Sequence, residues 1–254
     1  RAAHMALRSG VLSYDKKNGY RGPEAFIKLP NDPNSANEVI ADKLSSVSDS
    51  LDILAVIVTK IEKSKITVSR GENKPIILKR SNTKFAEKFF TKQTTQKKRI
   101  RRGSLIRIKP SNENNKEYEI TQLPEAQAAL VAVQTNNGAI RALVGGFDFQ
   151  SNKYNRVTQA YRQPGSAIKP FIFGAALEKG FSPKTLINDL PINFSPESTG
   201  GTLWEPKNFN NLYLGPISMK EALTKSQNMV SIRIVKKITP KFSQDYISRF
   251  GFEA

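Results

Sequence analysis

The sequence has no cysteine, and its one histidine, His4, lies near the N-terminus. Without thiols there is neither a disulfide nor a cysteine nucleophile, while compartment stays open, because many exported enzymes also lack cysteine. A lone histidine supplies neither a Ser-His-Asp triad nor a histidine metal site, so no metal or cofactor is expected. If the chain is an enzyme, lysine or carboxylate must move the protons. Long apolar runs are also missing: none approaches the ~20 residues of a membrane-spanning helix. The opening Arg1-Ala2-Ala3-His4-Met5 leads into a helical-looking stretch, not a cleavable leader, so any export signal is expected outside these residues. Acids are few, 22 against 40 Lys plus Arg.

What is present is a chain of 254 residues with 38% apolar content, enough for one large or two modest domains with real cores. The net charge of +18 favours polyanions such as nucleic acid, anionic lipid or cell-wall polymers without choosing among them. Ala3, Leu7, Val11 and Leu12 recur at helical spacing before the break at Asn18-Gly19. Residues 30–50, rich in Asn, Asp, Ser and Pro, read as a linker with at most a short amphipathic turn at Glu38–Leu44. From Leu51 the period becomes two. Ile53, Ala55 and Ile57 alternate with Leu54, Val56 and Val58, and further short strands are expected at Ile66–Val68, Ile76–Leu78, Leu105–Ile108 and Tyr118–Ile120, suggesting a small barrel or sandwich. Apolar runs on both sides of Asn136-Asn137-Gly138 predict a buried hairpin. Beyond Gly145-Gly146 helices are expected at Ser166–Glu178, after the capping pattern Ser218-Met219-Lys220-Glu221, and from Thr239-Pro240 to Gly251.

A serine three residues before a lysine at a helix start puts hydroxyl and amine on one face. The amine can act as base once its pKa is lowered, and the helix N-terminus faces a developing oxyanion. Ser166-Ala167-Ile168-Lys169 meets these needs, but the spacing also occurs at Ser13–Lys16 and Ser81–Lys84. Only the first of these three begins an apolar helix that would desolvate its lysine. Ser-x-Asn likewise occurs twice, at Ser35–Asn37 within the expected linker and at Ser226–Asn228 between two helical stretches.

Around these motifs run Asn155-Arg156-Val157-Thr158-Gln159-Ala160, Arg162-Gln163-Pro164-Gly165-Ser166-Ala167-Ile168-Lys169-Pro170-Phe171, Asp189-Leu190-Pro191-Ile192, Trp204-Glu205-Pro206-Lys207-Asn208 and Glu221-Ala222-Leu223-Thr224-Lys225-Ser226-Gln227-Asn228. Together with Gly19-Tyr20-Arg21-Gly22-Pro23-Glu24, they resemble the transpeptidase region of class A penicillin-binding proteins of the 1A type, where an OB-like domain precedes the active serine. The resemblance implies an α+β chain: an OB-like β-barrel domain plus the N-terminal part of a penicillin-recognising serine transpeptidase α/β domain. Its expected divisions are residues 1–49, following a glycosyltransferase domain; 50–123, OB-like; and 124–254, incomplete transpeptidase. It implies a peptidoglycan D,D-transpeptidase at the periplasmic face of the bacterial inner membrane. Ser166 would be the nucleophile, Lys169 its base, Ser226 a proton relay, and Asn228 a hydrogen-bond partner of the substrate amide.

Peptidoglycan stem peptides and β-lactams would be the ligands, with cell-wall synthesis proteins as further partners. Trp204, Pro206 and Asn208 look like a segment near the pocket mouth, or equally a packed loop with a capped turn. The family's third motif, Lys-Thr-Gly or Lys-Ser-Gly, does not occur after Ser226, so low activity of this polypeptide alone is expected. Two other classes compete: a non-catalytic interaction module, and a basic OB-type nucleic-acid binder built on Lys97-Lys98-Arg99-Ile100-Arg101-Arg102. The second fares poorly, because Phe85, Phe89 and Phe90 precede the charges and do not interleave with them.

Overall fold

A computed structural model of the chain describes residues 1–72, 74–111, 117–201 and 203–252. It divides into two compact units, Arg1–Tyr161 and Arg162–Ala254. Among the described residues no helix is long and apolar enough to cross a membrane.

The first unit opens with helix α1 (Ala2–Lys17), which runs past the apolar spacing to end at Asn18 and the left-handed Gly19. Leu7 and Val11 bury its inner face against Ile53 and Phe147. Arg8 lies beside them almost fully buried. Its guanidinium donates to Ser50 O at 2.9 Å and to Asp52 Oδ1 at 2.7 Å, and it covers the Phe147 ring at 4.2 Å. Strand β1 (Ala25–Phe26) follows. The expected linker then proves to be mostly helix: α2 spans Pro33–Ser45. Asp32 caps it by accepting from Ser35 N at 2.8 Å, Pro33 takes the first turn, where a missing N–H costs nothing, and Ile40 is fully buried with Leu29, Ile57 and Leu105. The polar composition of this segment belongs to its cap and outer face.

Strands β2 (Leu54–Ile61), β3 (Lys65–Ser69), β4 (Ile76–Lys79), β5 (Ser104–Pro110) and β6 (Tyr118–Thr121) join β1 in a six-stranded antiparallel sheet. Its order is β1-β5-β2-β3-β4, with β6 also paired to β5. The expected alternation holds. Val56 and Val58 enter one core with Ile66, Val68, Leu78, Ile106, Ile108 and Ile120, while Ile57 enters the core under α2. A 3-10 segment, Arg80–Phe90, covers the first core and sets Phe85 and Phe89 edge-on to Tyr20. Its Asn82 Nδ2 donates to Tyr118 O of β6 at 3.2 Å, and Lys79 at the end of β4 pairs with Glu117 just before β6.

Strands β7 (Leu130–Val133) and β8 (Ile140–Val144) form the predicted hairpin, though not as a buried sheet. Leu130 and Val144 pack toward α1, while Val131, Val133, Ile140 and Leu143 stay exposed. A two-stranded ladder has one covered face here, and an apolar run cannot reveal whether its second face is covered.

In the second unit another 3-10 turn, Gly165–Ile168, leads into α3 (Lys169–Glu178). Strand β9 (Leu186–Asp189), the short helix α4 (Pro196–Thr199) and strand β10 (Gly215–Ser218) follow, β9 and β10 pairing antiparallel. Ser218 caps α5 (Met219–Thr224) by accepting from Glu221 N, as the capping pattern predicts. Helices α6 (Asn228–Ile238) and α7 (Pro240–Ser248) complete the unit. Phe173, Ala175 and Ala176 of α3 form its core with Ala222, Val230, Ile234 and Ile238. Gly174 lets α7 approach, since a Cβ there would come within 2.8 Å of the Tyr246 hydroxyl.

Candidate active site

Lys169 opens α3, and its side chain runs inward until only 6% of the residue is exposed. Its amine donates to Ser226 O at 2.6 Å, to Asn228 Oδ1 at 2.6 Å and to Ser226 Oγ at 3.0 Å. An ammonium has three hydrogens, and all three are directed at residues 57 and 59 positions away. Burial pushes the amine's pKa below the ordinary lysine value by penalising the charged form.

The three partners differ in one respect. Ser226 O accepts only. Asn228 Oδ1 also accepts, its orientation set by its own Nδ2, which donates to Lys207 O at 2.8 Å. The Ser226 hydroxyl can either accept or donate, so the bond at 3.0 Å is the one across which a proton can change owner. With the amine neutral, its lone pair would face Ser226 Oγ while the other two bonds persist.

Local backbone chemistry places Ser226. After α5, Ser226 N bonds to Leu223 O and Gln227 N to Ala222 O, the paired closure of a helix ending in a left-handed residue. That residue is usually glycine; here it is Ser226 at φ +54°. The chain then turns straight into α6, so the Ser-x-Asn triplet lies in the joint between two helices.

Ser166 stands in the 3-10 turn before Lys169, with an exposed side chain. Of the four expected site residues, Lys169, Ser226 and Asn228 are bonded together, and Ser166 sits one turn away without receiving a hydrogen bond from the amine. The other Ser-x-x-Lys copies have no such setting. Ser13 and Lys16 lie on α1, Ser81 and Lys84 on the 3-10 cover, and Ser35 of the earlier Ser-x-Asn is bonded to the cap of α2.

Two supporting residues stand out in the sequence only as parts of longer likenesses. Asn208 is 2% exposed, and its Oδ1 accepts from Asn228 N at 2.8 Å and Met229 N at 3.2 Å. Its Nδ2 donates to Asp189 Oδ1 at 2.9 Å and Leu212 O at 2.9 Å. Asp189, fully buried, accepts from Leu214 N through its other oxygen at 3.0 Å. Gln227, at the N-cap position of α6, makes no side-chain cap bond. A helix lacking a cap of its own after Ser226 is the one signal in the sequence that a cap must come from elsewhere.

The arginines of the basic run are engaged by the protein's own backbone and an aromatic ring. Arg99 donates to Lys92 O and Thr94 O, each at 3.0 Å, Arg101 lies 3.9 Å over the Phe26 ring, and Arg102 bonds Leu29 O at 2.7 Å and Pro30 O.

Comparison with known proteins identifies the family. Residues 128–254 match the penicillin binding protein transpeptidase domain, and residues 20–126 the penicillin-binding protein OB-like domain. The chain is 40% identical to penicillin-binding protein 1A of Neisseria lactamica over all its residues, which cover 31% of that protein. It is 38% identical to penicillin-binding protein 1A of Pseudomonas aeruginosa, covering 99% of this chain and 30% of that one. The crystal structure of penicillin-binding protein 1A from Haemophilus influenzae superposes with a TM-score of 0.83 at 31% identity, over 99% of this chain and 36% of that chain. The chain thus spans about a third of the length of the relatives it matches.

Proposed function

The chain belongs to the class A penicillin-binding protein family, and from that premise we propose that its second unit seats the acyl-serine chemistry of a peptidoglycan D,D-transpeptidase. The observation that carries the reading is the bonded cluster of Lys169, Ser226 and Asn228, which joins the Ser-x-x-Lys and Ser-x-Asn triplets around one buried amine.

In the proposed reaction Ser166 Oγ attacks the carbonyl carbon of the penultimate D-alanine of a stem peptide. The hydroxyl proton passes to Lys169, directly or through Ser226, and the C–N bond to the last D-alanine breaks. That leaving amine takes a proton back along the same route, and an incoming amine then attacks the ester carbonyl, breaking the C–Oγ bond while its proton returns through Lys169 to Ser166 Oγ. A β-lactam enters by the same attack on its ring carbonyl. One hydrogen of the Asn228 amide is held by Lys207 O, and the other is available to a substrate carbonyl. The N-terminal turn of α3 presents its positive end to the developing oxyanion. The proposed location is the periplasmic face of the bacterial inner membrane, where stem peptides are cross-linked.

Labelled penicillin is expected to modify Ser166 saturably and no other serine, with Ser166→Ala abolishing the label. Labelling at another serine, or none after prolonged incubation, would overturn the proposal.

A further inference from the structure

Asn228 is the one partner of Lys169 that must be held at both ends, through its side chain on the amine and through its backbone at the first turn of α6. The side chain is fixed by Lys207 O and the backbone by Asn208 Oδ1. Asn208 is therefore the cap of α6, supplied from a loop 20 residues upstream. All of its hydrogen-bonding positions are used: two N–H groups donate to its oxygen, and its nitrogen donates twice.

Asp189 makes this orientation compulsory. The groups facing it are the Asn208 amide nitrogen and the Leu214 N–H, both donors. Only a side chain with two acceptor oxygens satisfies both. An asparagine there would present N–H to one of them, and if Asn208 turned over to meet it, nitrogen would face the two N–H groups of α6.

We infer that Asp189 and Asn208 are positioning residues, a buried relay that orients the cap of α6 and so holds Asn228 against the Lys169 amine. The inference rests on the proposed function only for the task of Lys169. Its geometry stands separately, and so does its test. Neither residue touches the reacting atoms.

The test reads the reactivity of Lys169 toward an amine-acetylating reagent by mass spectrometry, at one fixed pH and without penicillin. Asp189→Asn and Asn208→Asp each break the donor–acceptor match, the second by opposing two carboxylates. Loss of a cap opens a helix end about tenfold more often. Each variant is therefore expected to raise Lys169 acetylation about tenfold. Ile234→Val, a core change in the same helix, is expected to lower Tm and leave the rate unchanged.

Variants that react like the parent, or an equal rise in Ile234→Val, would each overturn the inference. If Asn208→Asp does not fold, Asp189→Asn decides it by the same criteria. Absence of penicillin labelling at Ser166 alongside the expected acetylation pattern would sink the proposed function and leave the relay standing.

Discussion

Ser226 carries its hydroxyl on a backbone at φ +54°, where a Cβ crowds the following carbonyl and costs about 1–2 kcal/mol. Glycine would relieve that strain and lose the hydroxyl. Ser226→Gly is thus expected to raise the unfolding free energy by up to about 1 kcal/mol while sharply slowing penicillin labelling. Urea denaturation and labelling kinetics on one preparation check both signs, and a variant that loses stability with its activity contradicts the strain argument. Lys169 gives a pH prediction. Burial holds its pKa below the ordinary value, so the neutral, proton-accepting form is reached at lower pH than for a free lysine. The labelling rate is expected to climb with pH and level off before the range where ordinary lysines titrate. The effect on stability has the matching sign: with the folded pKa depressed, burial of the charged form weakens the fold as pH falls through the ordinary lysine value toward the folded one. At this scale the sequence is informative where chemistry is local. The spacing of Ser166 and Lys169 puts them a turn apart on one segment, and the likeness to a known family separates that copy from two decoys. Asp189 and Asn208 are legible only as members of longer matching stretches, because their meaning lies in partners that no spacing rule connects.

Between elements, close approaches do the positioning. Gly103 sits at φ +91°, and a Cβ there would stand 2.0 Å from Ile27 O, in the register where Ile27 N donates to Gly103 O at 2.9 Å. Gly103→Ala combines a forbidden backbone with a clash against main chain that cannot step aside. It is expected to cost at least about 2–3 kcal/mol, read as a shift in the urea midpoint at unchanged slope. The strands of the first unit follow from alternation, since Ile57 and its neighbours Val56 and Val58 do face different cores. Helix α2 hides in a composition dominated by Asn, Asp and Ser, although Asp32-Pro33 is a cap and first turn in sequence. The β7–β8 hairpin is legible as a hairpin, but its burial depends on what packs on its faces, which an apolar run does not encode.

Over the whole molecule, the excess of 18 positive charges still has to be explained. The arginines of the 97–102 run are committed to carbonyl oxygens and an aromatic face, and the exposed cations of that run are Lys97, Lys98 and Arg102. A single-stranded oligonucleotide is expected to show no saturable binding by fluorescence anisotropy at physiological salt, and a salt-resistant complex would revive the nucleic-acid reading. Arginine forks seize an anion at two points, whereas ammonium groups act as hydrated point charges. With these forks engaged by the protein's own carbonyls and ring, this surface draws oppositely charged polymers near and gives them no fixed berth. A partner held this way would glide along the protein and be shed by a modest rise in ionic strength.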